Sequence, residues 1–355
     1  MDIISNFAIK LRGYLQTLMT FLRWLLAPVM PIYWLVSWLR NKLYDLHVFK
    51  SKTYNMPIIC VGNLSTGGTG KTPMVEYLLN LLKDRYQLAT LSRGYKRRTS
   101  GFVLASESSD AASLGDEPFQ IHQKFPAVEV AVDANRQNGI EQLKSLTSPE
   151  IIILDDAFQH RKVEAGFSIL LTAYDNLYTD DFPLPTGDLR EPRSGARRAD
   201  AIVVTKCPPN VEVEKEAILK KISPLSHQKV FFSSIDYSET FHSSTGAVSY
   251  QQLKDHYFTL VTGIANPKPL VGFLKKQGFK FEHLKFPDHH HFSEEDINRF
   301  NQKKLILTTE KDWVRLEGRL DKTANLFYLP IEIRIDDAIA FDDMINAFVN
   351  DYLPN

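Results

Sequence analysis

Short apolar runs rich in Ile and Val alternate along the chain with stretches in which apolar residues return every three or four positions. The runs MPIICVGN (56–63), LATLS (88–92), PEIIILDD (149–156), AIVVT (201–205) and KVFFSSIDY (229–237) have the length and composition of strands. Met74, Val75, Leu78, Leu79 and Leu82 recur at helical spacing and predict a helix directly behind the first of them. Such alternation predicts an α/β fold with mostly parallel sheets. After Tyr237 the Ser- and Thr-rich SETFHSSTGAVSY predicts a linker over 238–252. The alternation then resumes with strand YFTLVTGIA, a helix from Pro267, strand FKFEHLKF, a helix from Glu294 capped by Ser293, and strand KLILTT. The organisation read from this is an N-terminal helical segment over 1–45, a core domain over 46–237, and a second, smaller α/β domain over 253–355. No internal repeat or low-complexity tract interrupts it.

The N-terminal segment departs from the pattern. Its longest uncharged run, Trp24 to Leu39, has 16 residues and contains Pro28 and Pro31. As helix it would reach roughly 24 Å at about 1.5 Å per residue, short of a hydrocarbon core of roughly 30 Å. No small-residue cleavage site follows, which argues against a secretory signal. An interfacial anchor fits better, with Trp24, Trp34, Trp38, Tyr33 and Tyr44 at head-group level and Lys10, Arg12, Arg23, Arg40 and Lys42 facing anionic lipid. The competing reading is amphipathic helices packed on the protein's own core or on a second subunit. Charge supports an anionic partner: residues 1–100 carry 14 Lys and Arg against 4 Asp and Glu, within a chain of net charge zero. Two cysteines, Cys60 and Cys207, lie far apart without zinc-ligand spacing, consistent with a reducing compartment.

Candidate chemistry begins at Asn63, where NLSTGGTGKTP joins the first strand to the first helix. Small residues there let backbone N–H groups converge on phosphate oxygens at a helix N-terminus. Gly67, Gly68, Thr69 and Gly70 form the cradle, Lys71 reaches the β/γ-phosphates, and Thr72 offers a hydroxyl to Mg²⁺. The phosphate-loop pattern would place its first glycine at position 65, which is Ser65. PEIIILDDAFQH ends a strand in Asp155 and Asp156, the carboxylates expected to hold Mg²⁺. A nucleoside triphosphate with Mg²⁺ follows. AIVVTKCPP resembles the base-reading end of a GTPase strand, but Pro208 stands where the guanine-binding Asp belongs, which favours ATP.

Other motifs suit an acceptor other than water. SRGYKRR places Arg93 and further basic residues at a strand end, either as an anion site or as a solvated run. GDEP sets Asp116 and Glu117 at a helix start, as caps or as a carboxylate poised to take a hydroxyl proton. LREPRSGARRAD gathers arginines in an exposed loop, among them Arg190, suited to neutralising a transferring phosphoryl group. FPDHHHF carries three adjacent histidines, badly spaced for one metal ion.

In order, GNLSTGGTGKTP, SRGYKR, GDEP, LDDAFQH, LREP, RRAD, FPDHHHF and TTEKDWVRL resemble the tetraacyldisaccharide 4′-kinases of lipid A synthesis. The resemblance covers Pro57 to about Leu316, and the Ser65 departure is shared with that family. It implies a P-loop NTPase-type three-layer α/β/α core and an ATP- and Mg²⁺-dependent kinase at the cytoplasmic face of the inner membrane. Its substrate would be the 4′-hydroxyl of an acylated glucosamine disaccharide 1-phosphate, with membrane lipid and no nucleic acid as partners. Carried onto this chain, it makes Asp116 the candidate base with His289 or His290 as its partner. Lys71 and Arg190 are then charge-neutralising, Asp155, Asp156 and Thr72 lie on the metal side, and Arg93, Gln159, His160 and Glu191 are candidate substrate residues. Since the base and its histidine come from different domains, closure on binding is expected. A second hypothesis is a membrane-associated partition or site-selection ATPase, whose loop TGGTGKT nearly matches; Thr66 stands where that class has its signature lysine.

Overall fold

The computed structural model describes residues 23, 25–321 and 325–353, so Lys10, Arg12 and Trp24 of the expected anchor lie outside the described residues. Two sheets carry the architecture. The larger has nine strands in the order β15-β8-β7-β6-β1-β5-β2-β4-β3. In chain order these are β1 (Ile58–Asn63), β2 (Leu88–Ser92), β3 (Val103–Leu104), β4 (Glu129–Val132), β5 (Ile151–Asp155), β6 (Phe167–Ala173), β7 (Ala201–Thr205), β8 (Lys229–Tyr237) and, from the far end of the chain, β15 (Ile331–Ile335). Neighbours are parallel except at the two edges, where β3 and β15 run antiparallel. Central β1 is buried throughout, and its residues alternate between two cores. Ile58 and Cys60 face one with the helices Arg136–Leu146 and Lys215–Ile222. Ile59 and Val61 face the other with Met74, Val75 and Leu78 of the helix Lys71–Leu82. Helices on both sides explain why these strands read as unbroken apolar runs rather than as an apolar-polar alternation.

Register places the chemistry. β1 pairs with β5 so that Val61 lies opposite Asp155, and the glycine loop therefore leaves the sheet beside the paired aspartates. Both emerge at the carboxyl ends of parallel strands, where open α/β sheets bind ligands.

The smaller sheet has six strands, β10-β9-β14-β13-β11-β12. They are β9 (Thr240–Ser243), β10 (Gly246–Ser249), β11 (Tyr257–Thr262), β12 (Lys280–Lys285), β13 (Leu305–Thr309) and β14 (Asn325–Leu329). The predicted linker over 238–252 is corrected here, because most of it is the β9–β10 hairpin, paired to β14 at His242 and Tyr328. Composition concealed it: the hairpin is Ser- and Thr-rich, but Phe241 anchors it in the small core with no exposed surface.

The boundary at 253–355 is also corrected. β15 returns to the large sheet, and the helix Ala338–Asn350 adds Phe341, Ile345 and Val349 to the core that holds Ile59 and Val61, with Phe341 against Tyr77 and Phe231. The i, i+4, i+8 spacing of those three residues explains the docking. The small sheet is thus inserted within the large one. The chain crosses between them twice, side by side, where Ser238 N–H donates to the Pro330 carbonyl at 3.0 Å. Phe341→Ala is expected to destabilise the protein by about 3–5 kcal/mol, the usual cost of emptying a buried aromatic site. A lowered denaturation midpoint with an unchanged denaturant slope checks this.

Candidate active site

The glycine loop is folded for an anion. Gly70, the residue ahead of the helix Lys71–Leu82, adopts φ 88°, and no side chain caps that helix N-terminus. Asn63 Nδ2 donates to Thr69 Oγ1 at 2.7 Å, and Thr205 Oγ1 donates to the Thr69 carbonyl at 2.8 Å, so the loop is braced from β1 and β7. Gly62 has a different role from loop flexibility: a Cβ there would lie 2.6 Å from Phe158 Cβ, so the strand end and the LDDAFQH turn pack directly. Lys206 Nζ donates to the Gly68 carbonyl, placing the TKCPP segment over the cradle.

Lys71, half-buried, points at the paired aspartates, with Nζ 3.7 Å from Asp156 Oδ1. Arg190 grips the same carboxylate at 2.9 and 3.1 Å. The LREP segment delivers Arg190 by running along the glycine loop, where Arg190 N–H donates to the Leu64 carbonyl and Thr66 N–H to the Asp188 carbonyl, both at 2.7 Å. The two aspartates are thereby made unlike. Burial opposes charge on Asp156, but Lys71 and Arg190 outweigh it and hold its carboxyl below the usual range. Asp155 is raised to about 7 by burial and by the negative charges of Glu117 and Asp156. Its Oδ1 is buried with no hydrogen-bond partner among the described residues.

Across from them, His289 Nδ1 lies 3.2 Å from Asp116 Oδ2. The pair bridges the two sheets, since Asp116 opens the helix Asp116–Lys124 of the large unit and His289 follows β12 of the small one. His290 is not its partner: it bonds Asp296 at 3.1 Å and stacks on Phe286. Glu117, beside Asp116, contributes to raising Asp155, so the two halves of the site sense each other. A second bridge is Lys124, which pairs with Glu76 at 2.7 Å and Glu310 at 2.9 Å.

Gln159 and Glu191 are brought together as bracing. Buried Glu191 accepts from Gln159 Nε2 at 3.0 Å, Arg198 Nη2 at 2.8 Å and Asn41 Nδ2 at 2.5 Å. His160 and exposed Arg93 share an electropositive neighbourhood: burial and the charges of Arg136, Lys162, Arg40 and Arg93 lower the His160 pKa to about 4. Left-handed backbone recurs in these motifs. Lys96, Asp156, Lys206 and His289 hold positive φ between 49° and 61°, and His47, Ser148 and Ser223 hold positive φ elsewhere, a region uncommon for L side chains.

The helix Met30–Asp45 docks on this architecture through side chains assigned above to lipid. Tyr33 donates to the Arg190 carbonyl at 2.7 Å, Arg40 to the Gln159 carbonyl at 2.7 Å, and Tyr44 is buried beneath Arg161. Arg23 pairs with Asp188 at 2.9 Å. Ile32, Leu35, Val36 and Leu39 remain exposed on the opposite face, with Trp34 stacked on Trp38 beside them. No described helix is long and apolar enough to cross a membrane.

Three residues were missed. Arg136, nearly fully buried, donates to the Asp133 carbonyl at 2.7 Å and flanks Asp155. Its signal was an arginine at the start of a helix behind an apolar strand. Lys311 and Arg315, both touching the Asp116–His289 pair, lie one helical turn apart in TTEKDWVRL.

A model of the tetraacyldisaccharide-1-P 4′-kinase family matches residues 22–350. The chain belongs to that family. It is 51% identical over 342 residues to the tetraacyldisaccharide 4′-kinase of Flavobacterium johnsoniae, covering 94% of this chain and 99% of that protein. With the tetraacyldisaccharide 4′-kinase of Bacteroides thetaiotaomicron it shares 45% over 338 residues, covering 88% and 89%. Among solved structures it resembles LpxK from Aquifex aeolicus in complex with ATP, with a TM-score of 0.78 and 33% identity, covering 92% of this chain and 99% of that one. Membership of the tetraacyldisaccharide 4′-kinase family makes the chain a kinase and displaces the partition-ATPase reading. Thr66, where that reading wanted a lysine, is instead tied to Asp188.

Proposed function

We infer that this chain transfers the γ-phosphoryl group of ATP to the 4′-hydroxyl of a tetraacylated glucosamine disaccharide 1-phosphate. The observation that carries this is the opposition of a phosphate cradle, with Lys71 facing the paired aspartates, to a carboxylate–histidine pair beyond Glu117. The P-loop NTPase-type reading of the core is supported by the glycine loop between β1 and its uncapped helix, with the aspartates on the adjacent strand.

The acceptor oxygen bonds to the γ-phosphorus as the bond from that phosphorus to the β–γ bridging oxygen breaks, and ADP leaves. The transition state is loose, so alignment and charge neutralisation do most of the work. Lys71 and Arg190 supply positive charge, and the hydroxyl proton passes to Asp116. The site also fits Mg²⁺. Asp155 has a buried oxygen with no hydrogen-bond partner among the described residues, and Thr72 follows Lys71 in the first turn of the helix that the glycine loop opens. That donor set suits an ion completing its shell with water and phosphate oxygens. Bound by Asp155 and Thr72, Mg²⁺ would neutralise charge between the β- and γ-phosphates. Arg93 and His160, in the electropositive neighbourhood of Arg40 and Arg136, are the candidates for receiving the acceptor's own phosphate.

The exposed stripe Ile32–Leu39 supports a peripheral or monotopic seat on the cytoplasmic face of the inner membrane, where acyl chains stay in lipid while the sugar reaches the site. Purified protein in detergent, given the acylated disaccharide and radiolabelled ATP, is expected to move label into the lipid fraction. ATP turnover or ATP-dependent dimerisation with no labelled lipid would defeat the assignment.

A further inference from the structure

The TTEKDWVRL segment forms the helix Glu310–Leu316, and its conspicuous feature is that Lys311 and Arg315 share one face. Arg315 is nearly buried, at 9% side-chain exposure. It sends Nη2 and Nε to a single oxygen of Asp116, Oδ2, at 2.5 and 3.0 Å. Lys311 Nζ lies 3.0 Å from His289 Nε2, and His289 Nδ1 lies 3.2 Å from that same Oδ2 and 3.1 Å from Arg315 Nη2. Two arginine nitrogens and the imidazole Nδ1 therefore crowd Oδ2, while Oδ1 of Asp116 accepts no hydrogen bond among the described residues.

The clamp is itself held. Arg315 Nη1 donates to Asp312 Oδ1 at 3.1 Å, and the Asp312 Oδ2 atom accepts from Gly263 N–H and Thr309 Oγ1, both at 2.7 Å. The Gly263 carbonyl accepts the His289 N–H at 3.0 Å. The arginine and the histidine thus hang from one point at the end of β11.

We propose that Arg315 is a positioning residue for phosphoryl transfer, fixing Asp116 through Oδ2 so that Oδ1 alone is presented to the acceptor hydroxyl. The inference rests on the reading of Asp116 as proton acceptor. It gives the small sheet a task beyond supplying His289, since the base of the large unit is oriented from across the cleft. Electrostatics agree with the geometry. Burial would raise the Asp116 pKa, but hydrogen bonds from His289 and Arg315 and the arginine's charge hold it below the usual carboxylate range. The other charged groups facing the pair are Lys311, Asp312, Asp288 and Glu117, with Asp155 beyond Glu117.

The test uses the full chain in detergent with ATP and the acylated disaccharide. Arg315→Gln is expected to lower kcat roughly 10–100-fold, the scale of losing alignment by about an ångström, with KM for ATP retained. The acid limb of kcat/KM should move to higher pH, because a neutral partner no longer favours the ionised carboxylate. Added to Asp116→Asn it should cost almost nothing further, as residues acting as one unit do. Arg315→Lys keeps a cation against Asp116 and Asp312 and is expected to leave the acid limb in place while recovering part of kcat. A folded Arg315→Gln with the parental acid limb, or multiplicative loss in the double variant, overturns the inference. If the glutamine variant does not fold, parental kcat in Arg315→Lys overturns it instead. Undiminished turnover in Asp116→Asn would overturn this inference and the base assignment together; an inactive Asp116→Asn beside a fully active Arg315→Lys overturns this inference alone.

Discussion

Asp116→Asn is expected to cut turnover by roughly two to four orders of magnitude, the range spanned by general-base catalysis, with ATP binding retained. Among the described residues the Asp116 carboxylate bonds His289 and Arg315 and no residue of the cradle, so its loss is expected to remove a step and to spare ATP binding. Asparagine keeps an acceptor oxygen for Arg315 and is close in size, so the variant is expected to fold. It cannot take a proton. Single-turnover measurement with saturating ATP isolates the chemical step, and a variant with parental single-turnover rate would show that the proton goes elsewhere.

Lys71→Ala is expected to lose roughly 10²–10³-fold in kcat, comparable to removing one preorganised charge donor from a transition state. Its ammonium is the group that Asp156 orients toward the mouth of the helix, and Arg190 alone then remains on that carboxylate. Both kcat and the affinity for ATP should fall, which separates this variant from Asp116→Asn. Lys71→Arg is expected to restore little, since a planar fork does not reproduce a compact point charge at the β/γ-phosphates. Isothermal titration with ATP and Mg²⁺, alongside the lipid-labelling assay, reads the two effects separately.

What could be read in advance followed the range of the interactions. The cradle was legible because strand, glycine loop and helix are contiguous, and the physics of a helix N-terminus needs nothing else. Asp116 and His289 lie 173 positions apart and meet only through the sheets, so their pairing came from family likeness. The likeness left His289 and His290 open, and the Asp296 contact of His290 decides between them. Arg315 escaped altogether: its partner is 199 residues upstream, and one-turn Lys–Arg spacing ordinarily marks a solvated face. The N-terminal helix failed for a different reason. Aromatic and basic residues lie on both of its faces, so composition could not say that Tyr33, Arg40 and Tyr44 turn inward while Ile32 and Val36 turn out. The return of the last strand was hidden by sequence continuity, because β14 and β15 are separated only by Pro330 although they belong to different sheets.

That return has a consequence for biosynthesis. As the chain leaves the ribosome, β1 to β8 emerge first, yet Tyr77 and Phe231 wait for Phe341 to pack on them. The whole small sheet must be made in the interval, and all the strands that pair within it are local to that stretch. The later-synthesised unit therefore matures before the earlier one closes. A nascent chain paused inside it displays an apolar flank of the nucleotide domain around Phe231, left open until the last helix is made.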